Sequence, residues 1–328
     1  MNKHKITYLI FFFSVCAYFL FINSENEGSE SLLYKALHNK DAISAIKIPE
    51  KVYFAGERVP TENFDTRESL ERELITNTYW HSQTLLLIKR STRYFPIIDS
   101  ILKIHEVPSD FKYMAVAESG LAHVISPSNA VGFWQFLEGT AKDYGLIVND
   151  MVDERYHIEK STEAACKYIL ESFEKFGSWT MAAASYNRGR KFITEQMNIQ
   201  KQNNYYDLLL GEEGERYVFR IIALKMIIES PQDYGFVNNN EDYPPIPYYI
   251  VNIDTTINGL GIFANDLNTN YKLLKILNPW LRKPYLTVYK NESYQIKIPS
   301  KGFRAAKSLP DNPDIVKQEP DTSYINAE

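Results

Sequence analysis

The stretch FKYMAVAESGL, Phe111 to Leu121, sets a single carboxylate, Glu118, among apolar residues. Read as a helix, Phe111, Met114, Ala115 and Glu118 fall at i, i+3, i+4 and i+7 and share one face. Gly120 is placed to end that helix. Two effects then act on the acid in the same direction. Apolar surroundings disfavour its charged form, and the helix C-terminus presents the negative end of the dipole. A carboxyl group kept protonated near neutral pH is what general-acid catalysis requires. The plainer alternative is a glutamate pointing into solvent from a short helix, and spacing alone leaves that alternative ahead.

Two later segments change the weighting. SPSNAVGFWQF, Ser126 to Phe136, places Ala130 and Gly132 before an aromatic pair and Gln135. Small residues there let a polymer approach the backbone, and the Gln amide offers two donors and an acceptor. Trp134 suits stacking on a sugar face, and a core position suits it equally. SWTMAAASYNRG opens on Ser178, a good N-cap, carries three alanines that permit tight helix contact, and ends in Tyr186 and Asn187. The six histidines are scattered without ligand spacing, so no metal site and no cofactor are expected.

Helical patterning must position these groups. It runs from Thr66 through TRESLERELITNTYWHSQTLLLIKRSTRYF and PIIDSILKIHEV, with breaks expected at Pro96 and Pro108. A helix from about Ser161 to Phe176, ending at Gly177, turns Ala165, Ile169, Phe173 and Phe176 inward, with Cys166 as a core thiol. Residues 66–230 read as one compact, mainly α domain, preceded at 25–65 by a partly ordered lead-in. The Asn- and Pro-rich stretch within 231–247 reads as a linker. Beyond it YYIVNI (248–253) and YQIKIP (294–299) alternate as strands around two short helical patterns, a β-α-α-β module over 248–300. The tail, 301–328, reads as disordered.

The chain of 328 residues has a formal charge of −5 and no basic block in its body, which argues against a nucleic-acid partner. Lys3, His4 and Lys5 precede the largely apolar run Ile6–Ile22, so residues 1–24 read as a signal peptide or a membrane anchor. Cys16 follows Val15 rather than a small residue, which argues against a lipidated cysteine. With Cys166 alone in the body, no internal disulfide is expected.

In their order, Glu118-Ser119, Gly132-x-x-Gln135 and Ala184-Ser185-Tyr186-Asn187 resemble the lytic transglycosylases with a goose-type lysozyme fold. The resemblance extends over roughly 48–300, including VDERYHIEKSTEAACKYI and the ERYVFR helix, and the module at 248–300 resembles a divergent LysM repeat. It implies a mainly α, lysozyme-like helical catalytic domain acting on peptidoglycan glycan strands at the bacterial cell envelope, facing the periplasm. It also implies one acid, Glu118, acting first as acid and then as base to leave 1,6-anhydro ends. Ser119, Gln135, Tyr186, Asn187, Glu213 and Tyr217 are the implied substrate-binding residues. Hydrolysis as in a lysozyme, or glycan binding without cleavage, remain open alternatives. Hydrolysis by paired carboxylates would need a second acid roughly 5–9.5 Å away. Asp153 and Glu154 stand in VDERY, which more plausibly holds Arg155 in a structural ion pair. The chain departs from the pattern at Glu138, at Asn129, and at Gly214, where a hydroxyl is missing.

Overall fold

The computed structural model describes residues 45–237 and 241–302. The run Ile6–Ile22, Cys16 and the tail beyond residue 302 lie outside them. The described residues from Ile48 onward belong to one compact unit. Eight helices carry its larger part: α1 (Phe64–Tyr79), α2 (His81–Ile104), α3 (Lys112–Ser119), α4 (Glu138–Asp143), α5 (Ile158–Phe176), α6 (Trp179–Arg188), α7 (Arg190–Gln200) and α8 (Glu212–Glu229). At the centre stands α8, which buries Tyr217, Val218, Phe219, Ile221, Ile222, Ala223, Leu224 and Ile227. A helix apolar around most of its circumference has to be surrounded. Helices α1, α3 and α6 pack on it from different sides.

Three local features differ from the sequence expectation. The first helical break falls at Trp80 (φ −86°, ψ 57°), while Pro96 lies inside α2. An interior proline costs about 3 kcal/mol. The stripe Leu87, Ile88, Ile98, Ile101 and Leu102 is buried in that helix, and each such side chain contributes roughly 1.5–3 kcal/mol. The stripe therefore outweighs the proline.

Part of the expected lead-in is a hairpin, β1 (Val52–Phe54) paired antiparallel with β2 (Glu57–Val59). Its two-residue loop, Ala55-Gly56, holds positive φ at both positions, the geometry that matches strand twist. Val52, Phe54 and Val59 are buried, so this hairpin belongs to the core. Its Glu57 carboxylate accepts from Trp179 N (2.6 Å), Thr180 N (2.9 Å), Thr180 Oγ1 (2.6 Å) and Ser178 Oγ (2.9 Å). The first turn of α6 is thereby capped by a distant anion as well as by the expected Ser178, whose Oγ accepts from Met181 N.

Helix α5 starts at Ile158, three residues before the expected Ser161, and Gly177 ends it in the left-handed region. Ala165, Cys166 and Ile169 are fully buried; Phe173 is only partly buried and stacks on Trp179 at 3.8 Å.

The C-terminal module pairs β3 (Tyr248–Ile253) antiparallel with β4 (Tyr294–Pro299), with α9 (Leu260–Asp266) and α10 (Tyr271–Leu277) between them. Fully buried Asn278 donates to Lys297 O and accepts from Lys297 N, pinning the end of α10 to β4. This module shares an apolar cluster with the helical part: Val131, Val152 and Tyr156 pack with Leu260, Leu274, Trp280, Leu281 and Ile296. Backbone bonds cross the same seam, Asp153 N to Trp280 O (2.9 Å) and Arg282 N to Met151 O (2.7 Å). The connecting segment, expected as a linker, lies along α2, with Thr92 Oγ1 and Arg93 Nε donating to the carbonyls of Tyr243 and Pro244.

The loop from Val124 to Phe136 joins these parts. Arg155 donates to both Asp153 oxygens (2.9 and 2.8 Å), and its remaining Nη1 reaches Asn129 O (3.2 Å) and Phe136 O (3.3 Å). VDERY thus forms the expected ion pair, and it is buried. Gly132, at φ +82°, lies so close that a Cβ there would meet Arg155 O at 2.1 Å.

Two outcomes follow for stability. Trp280→Ala should cost about 3–5 kcal/mol and lower a single calorimetric transition of the whole unit. A second transition that left the helical part untouched would contradict the shared core. Gly132→Ala should destabilise by several kcal/mol, because backbone, not a side-chain tip, blocks the new methyl; chemical denaturation would register it as a lowered midpoint.

Candidate active site

Glu118 occupies the last turn of α3. Gly120 (φ 61°) ends that helix, its N–H bonding Val116 O at 2.8 Å, as the sequence expects. Arg90 Nη1 donates to Gly120 O (2.9 Å), a restraint the sequence did not signal. The residue keeps some exposure, yet its carboxyl is sunk among buried side chains, and the Tyr217 hydroxyl donates to its Oε1 at 2.5 Å. Desolvation pushes the Glu118 pKa up from the ordinary 4.5 to about 7, against the lowering pull of the Tyr217 bond and of the Arg220 charge; the Glu213 charge adds to the rise. The carboxyl is therefore substantially protonated at neutral pH.

Helix α8 supplies the partners. Tyr217, Arg220 and Glu213 lie at i, i+3 and i−4 of one face. Glu213 is exposed and paired with Arg220 (3.0 Å), and Arg220 also lies 3.5 Å from buried Glu73. Arg220 escaped the sequence reading, although its spacing from Tyr217 puts it on the same stripe. Burial and the neighbouring Glu118 charge hold the Tyr217 hydroxyl far above its usual range, so it stays a donor.

Other residues singled out from the sequence converge on the loop rather than on the acid. Ser119 Oγ sits 3.1 Å from Ala115 O and 3.0 Å from Phe133 O. The Tyr186 hydroxyl donates to Trp134 O at 2.7 Å, and its ring lies among Tyr168, Trp134 and Phe136. Glu118 charge also raises the Tyr186 pKa, so the two groups are near neighbours. Gln135, at φ +48°, donates Nε2 to Gly132 O (2.8 Å) and Val124 O (3.2 Å), closing its own turn. Trp134 is wholly buried and donates to Thr162 Oγ1, which decides between its two sequence readings in favour of the core. Asn187 is partly exposed at the end of α6, and its side-chain amide makes no hydrogen bond among the described residues.

Of the departures, Glu138 opens α4 and pairs with Lys142, and Asn129 takes a left-handed φ of 62° that Asn tolerates. Gly214 leaves room that a Cβ would not have, 2.9 Å from Leu210 Cβ. No group of three His, Cys, Asp or Glu side chains able to hold a metal occurs among the described residues, and no helix there is long and apolar enough to cross a membrane. Chemically, the site offers one carboxyl that changes protonation near neutral pH, held by a phenol, beside a loop whose carbonyls are already occupied.

Comparison with known proteins agrees with this arrangement. Residues 96–209 match the Transglycosylase SLT domain family. Residues 249–302 match the Soluble lytic transglycosylase C-terminal LysM-like domain family. Two curated relatives, each named membrane-bound lytic murein transglycosylase D, come from Escherichia coli K12 and from Escherichia coli O6:H1. Each is 28% identical over 180 residues, which cover 53% of this chain and 39% of the relative, so the chain matches well under half of their length. On a mainly helical, lysozyme-like framework, then, this chain carries an SLT transglycosylase domain followed by a LysM-like domain.

Proposed function

We propose that the protein is a peptidoglycan lytic transglycosylase that cleaves the β-1,4 bond between N-acetylmuramic acid and N-acetylglucosamine without water. The observation that carries this reading is Glu118, buried, bonded to Tyr217 and with its pKa raised to about 7. The carboxylate whose charge bears on it, Glu213, is engaged by Arg220, while Asp153 and Glu154 are held by Arg155 and Lys160. Each of these three carboxylates, the ones considered as a second acid for a hydrolytic pair, is thus held by a cation.

Tyr217 donates to Oε1, so the transferable proton sits on Oε2. Glu118 gives it to the glycosidic oxygen as the bond to the anomeric carbon breaks, and the substrate's own acetamide oxygen bonds that carbon. The ionised Glu118 then takes the proton of the muramoyl C6 hydroxyl, whose oxygen displaces the acetamide and closes the 1,6-anhydro ring. One carboxyl is returned to its starting state and no water is consumed. A pKa near 7 suits a group that must both give and take a proton. Asn187, with its amide uncommitted, orients the acetamide. Tyr186, Ser119 and Gln135 hold the loop that floors the groove, and Glu213 lines its rim. This activity belongs on the periplasmic side of the cell envelope, where the substrate lies and where an export-type N-terminal segment would send the chain; the LysM-like domain would engage glycan beside it.

Mass spectrometry of peptidoglycan digested by the protein should show anhydro-muropeptides, and Glu118→Gln should lower their rate of release at least about 10²-fold. Reducing-end products would instead mean hydrolysis, and release from neither protein would mean binding alone. The pH profile gives a second check. Because the acid must be protonated, kcat/KM should fall as pH rises through about 7. Tyr217 lowers the Glu118 pKa. Tyr217→Phe should therefore move that fall to higher pH while reducing the rate.

A further inference from the structure

A recess of about 590 Å³ opens where α6, α7 and α8 meet α1, and it is lined by Arg72, Arg188, Phe192, Leu210, Glu212 and Arg216 among others. Two of its charged side chains, Arg188 and Glu215, form no ion pair among the described residues. Arg72 pairs with Glu212 (3.1 Å), and Arg216 with Glu73 (2.6 Å). Glu215 accepts from Leu210 N. Arg188 is exposed and makes no ion pair among the described residues; its guanidinium lies over the Phe192 ring at 4.5 Å, a planar cation spread on an aromatic face.

The place of Arg188 is fixed by Gly214. A Cβ on residue 214 would come within 3.2 Å of Arg188 Cγ and 3.3 Å of its Cδ, so a bare glycine is what lets the arginine stem lie down on α8. Gly214 stands three residues before Tyr217, on the same helix face and about one 5.4 Å turn away, and Tyr217 is bonded to Glu118. Arg188 also directly follows Asn187. The free cation is therefore aligned with the acid along α8.

We propose that Arg188, seated on Phe192 and admitted by Gly214, is a subsite for a carboxylate on the peptide stem of the glycan substrate. The guanidinium fork matches a carboxylate in two parallel hydrogen bonds, which a neutral amide cannot accept as well. This rests on the lytic transglycosylase reading above, and it makes Arg188 a determinant of which stems are preferred.

The test compares stem-bearing peptidoglycan with the same material after its carboxylates have been converted to amides by carbodiimide coupling. The protein should cleave the free-acid substrate with kcat/KM about threefold to tenfold higher. Arg188→Gln should fold with an unchanged melting midpoint, since the residue is exposed, and should lose this preference. Arg188→Lys should keep part of it, having the charge without the fork. An equal preference in Arg188→Gln, or none in the unaltered protein, would overturn the subsite. If the unaltered protein releases no anhydro product from either substrate, the transglycosylase reading fails and the subsite falls with it.

Discussion

The pair between Asp153 and Arg155 is the constraint on which most of the arrangement depends. Both side chains are buried, and the residues of the pair hold several other groups in place. Arg155 reaches the carbonyls of Asn129 and Phe136, the backbone of Asp153 donates to Trp280, and Arg155 O presses on Gly132. A buried ion pair contributes little net stability when replaced whole, but removing one partner strands the other at a cost of roughly 3–5 kcal/mol. Its role is therefore one of specification. It fixes the turn after Val124, and that turn presents the carbonyls of Phe133 and Trp134 to Ser119 and Tyr186.

Glu118 illustrates the opposing requirement. The proposed acid–base role near pH 7 calls for desolvation, yet desolvation without a partner would keep the carboxyl neutral. The Tyr217 hydroxyl and the Arg220 charge pull the pKa back down, so burial and compensation meet near neutrality. Both compensating groups come from α8, whose position is set by packing on several sides. The chemistry thus inherits its geometry from the core.

Sequence carried the local features well. Gly120 ending the helix of Glu118, Ser178 capping α6 and the strand limits 248–253 and 294–299 are all set by short-range preferences that a reader can weigh residue by residue. The break at Trp80 rather than Pro96 was not legible, because a buried stripe overrode the propensity of one residue. The bond from Tyr217 to Glu118 spans 99 positions, and Glu57 reaches α6 across more than 120. No spacing rule connects such pairs. Ser119 and Tyr186 were recognisable as polar groups near the acid, but their attachment to loop carbonyls depends on how the loop turns, and that is decided by Arg155.

The hairpin carrying Glu57 has a consequence for how the molecule reaches its native state. The first turn of α6 is completed by a residue 122 positions earlier, Lys225 reaches back 172 positions to Tyr53 O, and Lys297 reaches 138 to Glu159. Contacts of such separation carry a large loop-closure entropy, and chains rich in them fold slowly. The first turn of the helix that bears Tyr186 and Asn187 is consequently completed only when the distant hairpin docks, so a chain severed between the two can form that helix without its full cap.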